Sequence, residues 1–338
     1  MTNDEIHGLK QLLSTPKTIV IVPHKNPDGD AIGSCLGLYH YLKNKRHHVT
    51  VIAPNDYPDF LKWMPDEDKI LKYDSCAEDA NAIIEKADMI FTLDFNALNR
   101  IGEMETSVTN SEAKKIMVDH HPQPEPYAVF TYSDTAMSST CEMIYNLIEM
   151  LGDTDQIDTN IATCLYTGIM TDTGSFKFSC TTTRTHQVAG ILIEKGANNA
   201  QIHSNIYDTF SYNQLQLLGC ALSNLRVLES SKTAYLTLSQ EELNAYNFKK
   251  GDTEGFVNYG LALEGIVFSA IFIENRQENI VKISFRSKGN FSVNDFARAH
   301  FDGGGHINAA GAKSDLSLEA TVEKFINILP KYNHVLNP

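Results

Sequence analysis

Cysteine is scarce in this sequence, and its six cysteines never form a closely spaced pair. Zinc ribbons and dithiol redox sites need paired thiols, whereas disulfide frameworks occur mainly in small secreted domains. The spacing therefore excludes a structural zinc ribbon and a disulfide scaffold, and it predicts a cytoplasmic protein. The thiols belong to Cys35, Cys76, Cys141, Cys164, Cys180 and Cys220.

Long apolar runs and an excess of positive charge are also lacking. No apolar run reaches the roughly 20 residues that span a bilayer, and Asp4 and Glu5 are unlike the basic start of a signal peptide. Lysine and arginine number 28 against 42 aspartates and glutamates, for a net charge of −14. We therefore expect neither a membrane partner nor binding of long duplex nucleic acid. A small polyanionic substrate stays compatible, because metal ions and a few local basic side chains can supply positive charge.

The length predicts two domains. The 338 residues are 42% hydrophobic, and a single core rarely grows past about 250–300 residues. We predict a first domain over 1–190, a helical connector over 191–225 and a smaller α/β domain over 226–338.

The order of apolar runs predicts the fold of both domains. In the first domain, short apolar strands alternate with helical segments, which is typical of a parallel sheet with helices on both faces. The second domain has further strands, and its Ala/Gly-rich segment from Gly303 is predicted to begin the last helical part. The predicted strands are 18–22, 49–53, 89–93 and 115–118, followed by 233–238, 267–273 and 279–285.

Side chains that bind metals follow three of these strands, and another acidic group ends a predicted helix. The carboxyl ends of parallel strands meet at one crevice, so we expect these side chains to lie together. Crowded carboxylates need cations, and oxygen-rich sites with one or two histidines suit Mn²⁺ or Mg²⁺ better than structural zinc. The side chains are His24, Asp28 and Asp30, then Asp94, then Asp119, His120 and His121, and finally Asp172.

Local structural interpretations of some of these residues remain open. The stretch 27–29 can be a simple turn, with Asp30 as a helix cap. Arg100 can bind an anion or pair with Glu103 on the surface. Ser139 is predicted to cap the helix that follows it.

Four stretches of the first domain, in order, resemble the motifs of the DHH phosphoesterase superfamily. Later, F-R-S, G-G-G-H and A-A-G resemble its DHHA1 substrate domain. The chain as a whole is similar to the nanoRNase/pAp-phosphatase branch, bacterial proteins of about this length with only these two domains. The four stretches are H-K-N-P-D-G-D-A-I-G-S, T-L-D, V-D-H-H-P and T-D-T-G-S-F.

The resemblance implies a two-metal phosphoesterase, with Mn²⁺ as the expected ion and Mg²⁺ as the alternative. A water between the ions would attack phosphorus in line. His121 would contact a phosphate oxygen or protonate the leaving group, and Asp119 would accept a hydrogen bond that orients an imidazole. One ion would be held by His24, Asp28 and Asp94, and the other by Asp30, the bridging Asp94, His120 and Asp172.

In the second domain, the resemblance implies a site for a substrate phosphate or nucleotide. Arg286 offers a planar fork for two hydrogen bonds to a phosphate. The glycines let backbone N–H groups approach an anion closely, and the histidine adds a donor. The residues are Arg286, Gly303, Gly304, Gly305 and His306, with Arg100 of the first domain as a further anion candidate.

The expected function is Mn²⁺-dependent hydrolysis of very short RNA and linear dinucleotides to mononucleotides. The resemblance also implies removal of the 3′-phosphate from adenosine 3′,5′-bisphosphate (pAp). The alternatives are a cyclic-dinucleotide phosphodiesterase of the same family, a RecJ-like single-strand exonuclease, a manganese pyrophosphatase, a non-catalytic nucleotide sensor and an adaptor protein. The oligomeric state is left open, with a homodimer as one alternative.

Overall fold

The computed structural model describes residues 1–337, and its first six strands form one parallel sheet. The strands are β1 (Thr18–Pro23), β2 (His48–Ala53), β3 (Leu71–Lys72), β4 (Met89–Leu93), β5 (Lys114–Asp119) and β6 (Phe130–Ser133). Their order across the sheet is β3-β2-β1-β4-β5-β6, and every neighbouring pair is parallel. The predicted parallel sheet is confirmed.

Helices cover both faces of this sheet, because the central strands are apolar on both sides. In β1, Ile19 and Ile21 join a core with α2, α5 and α6, whereas Val20 and Val22 join a second core with α3 and α4. The helices are α1 (Asn3–Leu12), α2 (Gly29–Asn44), α3 (Tyr73–Glu85), α4 (Glu105–Asn110), α5 (Thr140–Met150), α6 (Thr159–Asp172), α7 (Thr183–Glu194) and α8 (Asn199–Tyr207).

Glycines allow α2 and α6 to pack very closely. A Cβ atom on Gly33 would lie 2.6 Å from the carbonyl oxygen of Cys164, and one on Gly168 would lie 2.8 Å from Oδ1 of Asp30. Neither contact distance is acceptable for a real side chain, so both positions require glycine. The close packing matters for the site, because α2 carries Asp30 and α6 ends at Asp172.

The second half of the chain builds a mixed sheet of its own. The strands are β7 (Arg226–Leu228), β8 (Thr233–Leu238), β9 (Phe268–Asn275), β10 (Ile280–Ser287), β11 (Asp302–Gly305) and β12 (Ala309–Ser314), in the order β11-β12-β10-β9-β8-β7. The β8–β9 pair is parallel and the other pairs are antiparallel. The helices are α9 (Tyr212–Ser223), α10 (Gln240–Ala245), α11 (Val257–Leu261), α12 (Val293–His300), α13 (Leu318–Ile328) and α14 (Asn333–Leu336).

The core of this second sheet is rich in phenylalanine. Phe268 and Phe285 on the strands meet Phe296 of α12 and Phe325 of α13, with ring centroids 5.1 to 6.1 Å apart. Rings at these separations and in mostly edge-to-face orientations pack favourably beyond the area they bury. The opposite face of the sheet packs against α9 and α11 through a separate apolar cluster.

The prediction for the Ala/Gly-rich segment is wrong. Instead of beginning a helix, Gly303 lies in β11, which pairs with β12 as an antiparallel hairpin. A Cβ atom on Gly303 would lie 2.5 Å from that of Ala312, so the two strands need small residues. Pairing with the edge of β10 therefore overrides the helix propensity of alanine, and the next helix starts only at Leu318.

The chain divides into a first unit, Met1–Thr209, and a second unit that begins at Phe210. This division falls inside the 191–225 segment. Helix α8 belongs to the first unit, where Ile202 and Ile206 are part of the main core. Helix α9 belongs to the second unit and packs against β8.

The helices of the described part are short in comparison with the thickness of a bilayer. The longest helix, α2, has 16 residues, whereas a membrane-crossing helix needs about 20. Within residues 1–337, none of the helices combines the length and the apolar character that crossing a membrane requires.

The glycine contact between α2 and α6 yields a stability prediction. Gly33→Ala should lower the free energy of unfolding by about 1–3 kcal/mol, because the new methyl group meets a backbone carbonyl that cannot move aside cheaply. Urea denaturation measures the change. The control is Gly190→Ala in α7, where no atom lies within 4 Å of the added Cβ, and this change should be neutral or stabilising by up to about 1 kcal/mol. Equal stability of the two variants would contradict the proposed helix contact.

Candidate metal centre

Three neighbouring strands and the end of one helix bring the predicted side chains together in the first unit. Strands β1, β4 and β5 lie side by side, and His24, Asp94 and His120 directly follow them. Asp172 is the last residue of α6, which packs against α2. The cluster therefore lies at the carboxyl edge of a parallel sheet, where ligand crevices form.

Asp94 lies between two groups of side chains and turns one oxygen toward each. Its Oδ2 is 3.4 Å from Nε2 of His24, and its Oδ1 is 3.5 Å from Nε2 of His120. The backbone of Asp94 has a φ of +66°, a left-handed conformation that is uncommon outside glycine. Its N–H donates to the carbonyl of Val118 at 3.1 Å, which fixes this turn after β4. The strained backbone thus aims the carboxylate between the two groups.

His24, Asp28 and Asp94 form the first group, with one ligand atom of each within 4.8 Å of the others. Nδ1 of His24 donates to the carbonyl of Lys25 at 2.9 Å. Because a carbonyl can only accept, Nδ1 carries a hydrogen and Nε2 is the nitrogen that faces the carboxylates.

Asp28 has two functions in this group. Its Oδ1 accepts hydrogen bonds of 3.0 Å from the backbone N–H groups of Asp30 and Ala31, and its Oδ2 lies 3.9 Å from Nε2 of His24. Asp28 is therefore the N-cap of α2. The interpretation of Asp30 as the cap is wrong, because Asp30 already lies in the first turn of the helix.

Asp30, His120 and Asp172 form the second group, again with ligand atoms within 4.8 Å of one another. Nε2 of His120 lies 3.9 Å from Oδ2 of Asp30 and 3.5 Å from Oδ2 of Asp172. Its Nδ1 faces the carbonyl of Met137 at 3.3 Å. Like the ring of His24, this ring therefore turns Nε2 toward the carboxylates.

The N-terminus of α5, a turn that the family resemblance puts near the metals, holds two of these carboxylates through hydrogen bonds that the sequence analysis did not predict. The N–H groups of Thr140 and Cys141 donate to the two oxygens of Asp30 at 2.6 and 2.9 Å. The hydroxyl of Thr140 donates to Oδ1 of Asp94 at 2.9 Å. Ser139 caps the helix as predicted, by accepting the N–H of residue 142 at 3.0 Å. The available signal was a run of hydroxyl residues directly before an apolar helix.

Asp119 and His121 form a pair at the edge of the cluster. Oδ1 of Asp119 lies 2.7 Å from Nδ1 of His121, and Asp119 is fully buried. Among residues 1–337, its Oδ2 has no hydrogen-bond partner. The carboxylate therefore orients the His121 ring.

Burial and mutual repulsion set the protonation of the cluster. Burial, together with neighbouring carboxylates, raises the pKa of Asp30 well above its usual range and that of Asp172 to about 7. Burial lowers the pKa of His24 and His120, but adjacent carboxylates outweigh it and raise both values to about 9. Burial also opposes ionisation of Asp94, yet the contact with His24 and the three nearby imidazoles lower its pKa.

This donor set fits divalent cations. The N···O separations of 3.4 to 3.9 Å in both groups are too long for good hydrogen bonds. Two ligands bound at about 2.0–2.2 Å to one shared ion lie roughly 3 Å or more apart. Each group combines carboxylate oxygens with one imidazole nitrogen and could hold one ion.

Arg100 lies in the 3-10 helix Leu98–Met104 and its side chain is exposed. Within the described chain it forms no ion pair with Glu103, so that alternative is wrong. Its carbonyl accepts the N–H of Lys25 at 2.8 Å, which ties this segment to the loop that carries His24.

The residues predicted for substrate binding in the second unit lie on or directly after β10 and β11, the two strands on either side of β12. Arg286 on β10 pairs with Ala309 on β12, and the glycines of 303–305 lie in β11, which His306 directly follows. Nη1 of Arg286 donates to the carbonyl of Phe285 at 2.9 Å.

Helix α12 supports this glycine strand, a contact that the sequence analysis did not predict. Oδ1 of Asn294 accepts the N–H of Gly305 at 3.0 Å and Nε of Arg298 at 3.1 Å. The amide side chain therefore fixes the end of β11 and brings a further guanidinium close to it.

The raised histidine pKa values predict how ion binding depends on pH. At pH 8 the imidazoles of His24 and His120 each hold a proton that a bound ion must displace. Affinity for Mn²⁺ should therefore rise between pH 6 and pH 9 and then level off, with about two protons released at pH 8. Calorimetric titration in buffers of different ionisation enthalpy measures both quantities.

Binding of Mn²⁺ to the His24→Gln variant should release about one proton fewer than binding to the wild type. The control, His7→Gln, changes an exposed histidine of α1 and should leave proton release unchanged. Affinity that is independent of pH over this range would contradict the charge state derived for the cluster.

Comparison with known proteins agrees with this geometry. Residues 18–169 match the DHH family, N-terminal domain, and residues 232–334 match the DHHA1 domain. The bifunctional oligoribonuclease and PAP phosphatase NrnA of Thermus thermophilus is 33% identical over 312 residues, which cover 91% of this chain and 88% of that protein. NrnA of Bacillus subtilis is 29% identical, over 90% of this chain and 91% of that protein.

A crystal structure of an exopolyphosphatase-related protein from Bacteroides fragilis is similar along the whole chain. It is 41% identical, with a TM-score of 0.96 and coverage of 100% of this chain and 98% of that one. Both family matches and the full-length relatives agree with the two-domain resemblance that the sequence motifs indicated. The chain therefore belongs to the DHH family of phosphoesterases, with a DHHA1 domain in its second unit.

Proposed function

We propose that this enzyme hydrolyses very short RNAs to mononucleotides and removes the 3′-phosphate from pAp. The observation that carries the proposal is the position of Asp94, whose two oxygens face two separate groups of ligand atoms. A carboxylate in this position can be shared by two ions, and two-ion sites are suited to phosphoryl chemistry. The NrnA relatives are named for the same pair of activities.

The two groups would each hold one divalent ion. Each group contains an imidazole nitrogen, which favours Mn²⁺ over Mg²⁺, since Mg²⁺ prefers oxygen ligands and water. When bound, such ions supply an acidified water and stabilise the charge that develops at phosphorus. The proposed ligands are His24, Asp28 and Asp94 for one ion and Asp30, Asp94, His120 and Asp172 for the other.

The protein's own groups hold the ligands in place and move a proton. Thr140 and the N-terminus of α5 keep the carboxylates of Asp30 and Asp94 in fixed orientations. His121, held through Nδ1 by Asp119, would deliver a proton from Nε2 to the leaving oxygen. In this scheme Asp119 keeps the His121 ring in the orientation that the proton transfer needs.

The second unit would bind a phosphate of the substrate. The guanidinium of Arg286 can donate two hydrogen bonds to one phosphate group. The backbone N–H groups of 303–305 and the ring of His306 would add donors close by. Arg100 in the first unit, exposed next to the His24 loop, is a further anion contact.

The whole chain fits a short substrate better than a long one. Its net charge of −14 speaks against a long basic track for duplex nucleic acid. All six cysteines are free thiols, which agrees with the reducing cytoplasm as the place of action.

Hydrolysis by the purified protein with Mn²⁺ tests this proposal. The substrates are an RNA dinucleotide, a five-mer, a long RNA, pAp, a cyclic dinucleotide and pyrophosphate. Mononucleotides should appear rapidly from the two short RNAs and phosphate from pAp, and EDTA should stop both reactions. Asp94→Asn should reduce each rate at least about 100-fold, because it removes the shared ligand.

The matched control is Asp79→Asn, which changes an exposed carboxylate on α3 and should leave all rates unchanged. Faster cleavage of the cyclic dinucleotide or of the long RNA would favour the corresponding alternative activity. Turnover of pyrophosphate alone would overturn the assignment of the second unit, and no turnover at all would favour a nucleotide sensor.

Arg286 yields a separate prediction about substrate binding. Arg286→Ala should raise KM for the dinucleotide about 10-fold, with a much smaller change in kcat, since the side chain binds a phosphate away from the bond that breaks. Steady-state kinetics measure both constants. Arg226→Ala on β7 is the control, because it removes an exposed guanidinium from the same sheet. An unchanged KM in Arg286→Ala would contradict the proposed contact.

A further inference from the structure

A left-handed turn follows the last carboxylate of the cluster, Asp172. Three consecutive residues, Gly174, Ser175 and Phe176, have φ angles of +56°, +61° and +65°. Glycine adopts this conformation without strain, but a phenylalanine there is an outlier. Strained backbone of this kind persists where the surrounding structure holds it, and it is concentrated at functional sites.

The turn is held by a buried threonine. The hydroxyl of Thr173 donates to the carbonyl of Ile169 at 2.6 Å and accepts the N–H of Phe176 at 3.0 Å. The carbonyl of Thr173 accepts the N–H groups of Lys177 and Phe178, each at 3.0 Å. These contacts give the turn one defined conformation in spite of its strain.

The side chains of two phenylalanines, Phe176 and Phe178, leave this turn in different directions. Phe176 packs inward, with its ring 5.4 Å from that of His186 in a stacked arrangement. Phe178 stays 39% exposed. Its ring lies against Gly174, where an added Cβ would come within 2.5 Å of a ring carbon, and the ammonium of Lys177 lies 5.7 Å from the ring centroid. Glycine at 174 thus leaves the space in which the Phe178 ring packs against the turn.

The Phe178 ring packs against Gly174, which lies close to the metal centre along the chain. Gly174 is only two residues from Asp172, and its N–H donates to the carbonyl of Thr171 at 3.1 Å. Thr171 in turn contacts Gly29, the first residue of α2, between Asp28 and Asp30. A single exposed phenylalanine needs no explanation by itself, but this one is presented by a strained turn beside the cluster.

We propose that the partly exposed ring of Phe178 is a stacking surface for a nucleobase of the substrate, which would take the place of the Lys177 ammonium over the ring. The inference rests on the proposed function and adds a contact that the metal ligands and phosphate-binding groups do not provide. Every nucleobase has a planar π-face, so stacking on an aromatic ring binds any sequence. An enzyme that degrades short RNAs of all sequences needs such a contact, and stacking supplies it without additional positive charge.

Steady-state kinetics of three variants on an RNA dinucleotide test this proposal. Phe178→Ala should raise KM about 5- to 10-fold with kcat within about twofold, because it removes one stacking contact. Phe178→Trp should restore the wild-type KM. The control Phe210→Ala truncates a similarly exposed phenylalanine, 43% exposed, in the second unit, and it should change neither constant.

Two dinucleotides that each lack one base identify the stacked base. For one of the two dinucleotides, the effects on KM of removing the base and of Phe178→Ala should not be additive, because each change removes the same contact. A dinucleotide with 2-aminopurine at that position should lose fluorescence on binding to the wild type but not to Phe178→Ala.

Other outcomes would overturn the inference. A KM for Phe178→Ala within twofold of the wild type would do so, as would an equal rise for the intact dinucleotide and both base-free forms. Both results leave hydrolysis by the wild type intact and so leave the proposed function standing. A wild type that neither binds nor cleaves the dinucleotide would remove the proposed function and this inference together.

Discussion

Repulsion among five aspartates at one edge of the parallel sheet is the constraint on which the first unit depends. Asp119 ends β5, Asp94 follows β4, Asp28 and Asp30 lie at the start of α2, and Asp172 ends α6. Asp30, Asp94 and Asp119 are buried. The structure compensates in several ways. Two imidazoles turn Nε2 toward the carboxylates, and the N-terminus of α5 donates two N–H groups to Asp30. A helix N-terminus carries partial positive charge, so α5 opposes part of the rise in pKa that burial and the neighbouring carboxylates cause at Asp30.

Close approach and backbone strain appear where the cluster needs them. Gly33 and Gly168 let α2 and α6 come together, which brings Asp30 and Asp172 to the same ring of His120. The backbone of Asp94 is left-handed, and this conformation lets its carboxylate reach both groups. The close packing of α2 and α6 and the left-handed backbone of Asp94 therefore fix the positions of the carboxylate oxygens in the cluster.

Much of this arrangement could be predicted from the sequence. Apolar runs followed by aspartate and histidine locate the strands and the crevice, because parallel strands end at a common edge. Periodicity does not report contacts between distant segments, so the hydroxyl of Thr140 on Asp94 could not be predicted. The error in the second unit has a similar cause. Alanine and glycine in 309–312 have no strong strand signal, and pairing with β10 decides their conformation.

Protons would compete with the divalent ions of the proposed function for the same atoms of the cluster, and this competition offers the first unit a way to fold before ions bind. At neutral pH the imidazoles of His24 and His120 are protonated in the ion-free protein, and Asp172 is partly protonated. These protons offset the repulsion that ionised aspartates would otherwise produce. Small zinc domains lack a core and need their metal to fold. Here two apolar cores flank the sheet independently of the cluster, so ion binding can follow folding and exchange bound protons for cations.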